Sequence, residues 1–172
     1  MVTATILSFI TFMSPNVDFQ NIGEQDAFML EETMCLADNI YHEARGQGTA
    51  GQLAVAAVTM NRVNDERFPN TICEVVKQGP HRPSWKGTGE QIPVRNRCQF
   101  SWYCDGRSDD PQDLTTYQSI YDLSYEFVYG NIDLIDLTDG ATHYHANYVK
   151  PSWARTKTKT VTIEDHIFYR WE

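Results

Sequence analysis

The run LAVAAV, Leu53–Val58, places six residues in succession without a polar side chain, and nothing else in the chain constrains the fold as strongly. A helix that is apolar on every side has to be enclosed by other elements, so this segment is expected to be central and buried. Its surroundings are helical. Thr49-x-x-Gln52 ahead of it has the pattern of a capping box, and TMNRV carries it on to Val63. Upstream, from Glu31, Leu36, Ala37, Ile40, Tyr41 and Ala44 recur as the stripe of an amphipathic helix, which Gly46 and Gly48 end.

Beyond Val63 the signals are shorter. Pro69 and Asn70 break the chain before an apolar piece, TICEVV. Gln78–Arg97 holds three prolines and three glycines and reads as a long surface loop, with Arg82, Lys86, Arg95 and Arg97 around Trp85. Helical spacing resumes from Pro111, with Leu114, Tyr117, Tyr121, Ser124 and Val128 in register and Gly130 as the stop. KTKTVTIEDHIFYRW then reads as two short strands broken near Glu164 and Asp165. The pattern predicts an α+β fold, mostly helical with a small β element: an N-terminal lead or arm over residues 1–30, then a single domain over 31–172.

Composition narrows the partners. A net charge of -9 argues against nucleic acid, which is bound through basic surfaces. Nine carboxylates between Asp105 and Asp139 face one base, Arg107, but their spacing matches no calcium loop, and they read as solvated faces. The opening MVTATILSFITFMSPN is apolar yet too short for a convincing membrane span, and it lacks the positive start and cleavage site of a secretory signal. Both an export arm and an element packed on the domain fit it. Cys35, Cys73, Cys98 and Cys104 allow two disulfides in any of three connectivities, and two bridges would imply a working place outside the reducing cytosol.

One carboxylate stands in an awkward position. In NIYHEARG, Asn39–Gly46, Glu43 shares a helix face with Leu36 and Ile40 and lies in the last turn, where the helix dipole disfavours a negative charge. Burial and dipole both raise a carboxyl pKa. Two readings follow: an ion pair with Arg45 or Arg62, or a glutamic acid kept protonated so that it can give a proton to a leaving group.

The run CLADNIYHEARGQGTAGQLAVAAVTMNRVNDERFPNTICEVV, Cys35–Val76, resembles the spore-cortex-lytic and cell-wall hydrolase family of the SleB/CwlJ type. CQFSWYCDG, Cys98–Gly106, and GATHYHANYVKPSWA with DHIFYR, Gly140–Arg170, resemble it too, in the family's order. The resemblance implies a lysozyme-like, lytic-transglycosylase-like fold with a cleft for glycan. It also implies cleavage of peptidoglycan between N-acetylmuramic acid and N-acetylglucosamine, with Glu43 as the acid, and the disulfides Cys35–Cys73 and Cys98–Cys104. One departure concerns Gln47, where many members carry a second acid.

A glycosidase ordinarily needs two carboxylates, and the motifs offer one. A single acid suffices if Glu43 protonates the bridging oxygen and the muramyl 6-hydroxyl closes a 1,6-anhydro ring; hydrolysis with the same acid, or a non-catalytic wall-binding role, is the alternative. Gln99, Phe100 and Ser101 are expected to meet the sugar on one side, and His143 and Tyr144 on the other. His143 and His145 with His42 suggest zinc, but no fourth ligand is evident, so no metal or cofactor is expected. The expected partner is the glycan strand of peptidoglycan, met by a monomer in the periplasm or cell envelope, or by a phage-encoded enzyme released at lysis.

Overall fold

The computed structural model of the protein describes residues 23–172. The expectations for the apolar opening segment lie outside the described residues.

Helix α1, Glu24–Ala44, begins ahead of the apolar stripe that signals it. Its first turn is solvent-exposed, so no apolar period marks it, and Glu24 and Asp26 suit the positive end of the helix dipole. Residues 24–30, read in the sequence as part of the lead, are therefore helical. Helix α2, Thr49–Val63, is the enclosed element: Ala54, Val55, Ala56, Ala57, Val58 and Thr59 are all buried. The Thr49–Gln52 capping box does not form. Gly48 is the N-cap, so the Thr49 hydroxyl is one residue too late to serve, and the carboxylate of Glu164 accepts from the Gly48 N–H at 2.9 Å instead.

Helix α3, Ile72–Val76, is capped twice. Thr71 accepts from the Glu74 N–H, and the buried Glu32 of α1 accepts from the N–H groups of Ile72 and Cys73 at 2.5 and 3.1 Å. A bond between Cys35 and Cys73 ties the same two helices together. Helix α4, Leu114–Val128, starts at the Asp113 cap and ends before Gly130, whose φ of 70° suits glycine. It lies along α1, where the Tyr41 hydroxyl accepts from the N–H groups of Gln112 and Asp113 and the Tyr117 hydroxyl donates to Asp38.

The segment expected as a bare loop contains a hairpin, β1 His81–Pro83 paired with β2 Gln91–Pro93. Three-residue strands that each end on proline leave no alternation to read. The second sheet joins β3 His143–Ala146, β4 Thr158–Ile163 and β5 His166–Arg170 in the antiparallel order β3-β5-β4. Phe168 on its central strand packs with Ala54 and Val58 of α2, so this sheet closes over the enclosed helix. Between the halves, Cys98 and Cys104 are bonded across a 3-10 turn, Ser101–Cys104.

Candidate active site

Glu43 lies half-buried in the last turn of α1 and faces a cavity of about 430 Å³. That cavity is walled by the 99–105 turn on one side and by β3 on the other. The Tyr144 hydroxyl donates to Glu43 Oε2 at 2.9 Å. Burial raises the Glu43 pKa, opposed by the Tyr144 hydrogen bond and by the charge of Arg62. The same burial and the adjacent carboxylate push the Tyr144 phenol well above its usual range, so it acts here as a fixed donor.

Arg62 supplies the cation behind the carboxylate. It is 4% exposed, its Nε donates to the Thr142 carbonyl at 2.7 Å, and its guanidinium lies over the rings of Phe68 and Phe100. Burial lowers its pKa to about 10, so it stays charged at neutral pH. Its Nη1 is buried without a hydrogen-bond partner among the described residues. Neither ion pair considered for Glu43 forms: among the described residues it has no cation within ion-pair distance, and Arg45 lies over the Tyr41 ring.

The residues expected to meet a sugar divide. Gln99 and Ser101 are exposed and line the cavity. Phe100 borders it but is buried, with its ring beneath Arg62, so it supports the cation rather than offering a stacking face. Tyr144 faces Glu43. His143 does not border this cavity. Its ring packs near Phe68, Trp153 and Trp171, where burial and the charges of Arg62, Lys157 and Arg67 push its pKa down to about 3.

Folding adds groups that no motif reading singled out. Trp102 is stacked on His42, with centroids 4.5 Å apart, and its Nε1 donates to Asn39 at 3.0 Å. Asp105 brings a second carboxylate to the cavity, and Tyr148, 84% exposed, stands at its rim. His166 lies behind Tyr144, with ring centroids 4.9 Å apart, and its Nδ1 bonds the amide of Gln47, the position where many family members have an acid. The aromatic residues inside SWY and NYV were the available signal for Trp102 and Tyr148. No group of three or more His, Cys, Asp or Glu among the described residues is arranged to hold a metal ion.

A family model described as Cell Wall Hydrolase matches residues 46–169, most of the chain. The chain belongs to the cell wall hydrolase family. The match begins just after Glu43, so that residue's standing rests on its geometry. Among relatives, the chain is similar to a spore cortex-lytic enzyme of Bacillus subtilis, 43% identical over 49 residues, or 28% of this chain and 16% of that one. A second, from Halalkalibacterium halodurans, is 27% identical over 134 residues, 77% of this chain and 33% of the relative. The chain thus spans a third or less of the length of these relatives. The fold is similar to that of the catalytic domain of the germination-specific lytic transglycosylase SleB from Bacillus anthracis, with a TM-score of 0.55, 24% identity, and coverage of 81% of this chain and 93% of that one.

Proposed function

We propose that this cell wall hydrolase cuts the glycan strand of peptidoglycan between N-acetylmuramic acid and N-acetylglucosamine, by lytic transglycosylation. The observation that carries the reading is the environment of Glu43: a carboxyl whose pKa is raised by burial, open to a cavity, and gripped by a tyrosine hydroxyl. A carboxyl whose pKa is raised is suited to give a proton to a leaving group. Glu43 protonates the bridging oxygen as the bond from C1 to that oxygen breaks, and the acetamido carbonyl of the muramyl residue stabilises the cationic sugar. Arg62 favours the carboxylate that results. The muramyl 6-hydroxyl then attacks C1 and returns its proton to Glu43. The products are a 1,6-anhydro end and a free 4-hydroxyl, and no water is consumed.

One observation favours hydrolysis as a second reading. Asp105 borders the same cavity and is a carboxylate that could activate water on the far side of the sugar. Peptidoglycan as partner and the cell envelope as the place of action follow from either reading. Among the described residues no helix is long and apolar enough to cross a membrane.

The direct test is Glu43→Gln assayed by release of soluble muropeptides from purified walls. Activity is expected to fall by about 10²–10⁴-fold with the fold intact by circular dichroism. Wall clearance at the parent rate would remove Glu43 from the chemistry. Binding to walls without cleavage by the parent protein would point to a wall-binding role instead.

A further inference from the structure

The basic residues of this acidic chain are not scattered. From His145 to Thr160 it carries Lys150, Arg155, Lys157 and Lys159 and no Asp or Glu, against a net charge of -9 overall. Two of these face one cavity of about 530 Å³, whose lining includes Lys150, Ser152 and Arg155 and no carboxylate. His145 borders both this cavity and the one that holds Glu43, so the two adjoin. At the other end, His42, Trp102 and Asp105 are shared with a third cavity whose wall carries Asp109 and Asp110 beside Arg45 and Arg107. The groove through Glu43 is therefore electrically polar, mixed and acid-rich at one end and purely basic at the other.

The basic end is built rather than loose. Asn147 donates from its backbone to the Asp165 carbonyl at 2.7 Å and from its side chain to the Asp165 carboxylate at 3.2 Å. The Val149 N–H closes on the Ala146 carbonyl at 2.9 Å, and the Trp153 ring packs against His145 and Tyr169. Among the described residues, Lys150 and Arg155 have no ion-pair partner. Two exposed cations beside the cavity of Glu43, without an ion-pair partner among the described residues, are open to anionic groups on a substrate.

The N-acetylated sugars of the strand are neutral. Its carboxylates hang on the peptide stems carried by the muramyl residues. We propose that the cavity lined by Lys150 and Arg155 binds the stem carboxylates of a muramyl residue next to the cut bond, so that strands with charged stems are the preferred substrate. The proposal rests on the glycan-cleaving reading above. Arg155 offers a planar fork matched to a carboxylate and Lys150 a mobile point charge, so together they accept stems of differing sequence. Both side chains are exposed, which keeps the expected preference modest.

The test compares soluble strands bearing free stem carboxylates with the same strands after carbodiimide coupling of those carboxylates to ammonia, which removes charge and little else. The unaltered protein is expected to show a kcat/KM about tenfold higher on the charged strands, the difference residing in KM. In the double variant K150Q/R155Q that ratio is expected to fall to about one. Equal cleavage of both strands by the unaltered protein, or an undiminished ratio in the double variant, would overturn the proposal. Failure of the unaltered protein to cut either strand would instead refute the glycan-cleaving reading, and this proposal with it. The first comparison needs no variant, so it does not depend on how the substitutions fold.

Discussion

Burial of Glu43 costs stability while suiting the proton-donor role proposed for it. Its pKa is raised in the folded chain chiefly by burial. A carboxyl raised in this way contributes stability that is fully present below the unfolded pKa and lost as pH rises through the folded one. Glu43→Gln keeps an acceptor for Tyr144 without the charge. Its melting temperature should therefore match the parent in acid and exceed it by a few degrees at neutral pH and above, as scanning calorimetry across pH would show. A constant difference at all pH values would mean that the charge of Glu43 costs nothing. Arg62 and Tyr144 both hold the pKa of Glu43 down, so Arg62→Gln and Tyr144→Phe should each raise it. In the proposed mechanism the working form of Glu43 is protonated at the start of the reaction, so the alkaline limb of the pH–rate profile should move to higher pH in both. A limb that moves to lower pH, or stays where it is, would separate these groups from the proton donor.

Among the elements, the helices were the most legible. A 3.6-residue period marks α1, α2 and α4, because each sets a continuous apolar stripe or core against its neighbours. Where solvent surrounds the backbone the period fades, which is why the first turns of α1 and the β1–β2 hairpin had no signature. The start of α2 is instructive in another way: its N-terminal N–H is satisfied by Glu164, a residue far along the chain, and local capping rules cannot see a partner supplied by tertiary contact. The two disulfides also act between elements, and loop length predicts their unequal worth. Cys35–Cys73 spans 38 residues and Cys98–Cys104 spans 6. Their removal by paired serine substitutions should cost about 4 and about 2 kcal/mol, or about 8–16 °C and about 4–8 °C in thermal melts. A reversed order would mean that native contacts around the short loop outweigh chain entropy.

For the molecule as a whole, the candidate site was half legible. Glu43 betrayed itself as a charge on an apolar face, and Tyr144, Gln99 and Ser101 lie on the cavity wall. His143 was assigned to the same wall, but its ring packs with Phe68, Trp153 and Trp171, which come from three other stretches and meet it only through the fold. Arg62, Trp102, Asp105, Tyr148 and His166 come from four separate stretches and meet only because α2, the 99–105 turn and the three-stranded sheet converge on the end of α1. The charge distribution follows the same logic: net charge gave an acidic chain, while the polarity of the groove emerges from how the loops are folded around it.

In the mechanism proposed above, one carboxyl, Glu43, lets the substrate's own hydroxyl finish the cut. Digestion of purified peptidoglycan in water labelled with heavy oxygen, followed by mass spectrometry of the muropeptides, tests it most directly. Lytic transglycosylation gives 1,6-anhydro ends that carry no label, from the first turnover onward and absent with Glu43→Gln. Labelled reducing ends as the primary product would contradict it, and would assign the attack to water and a working role to Asp105.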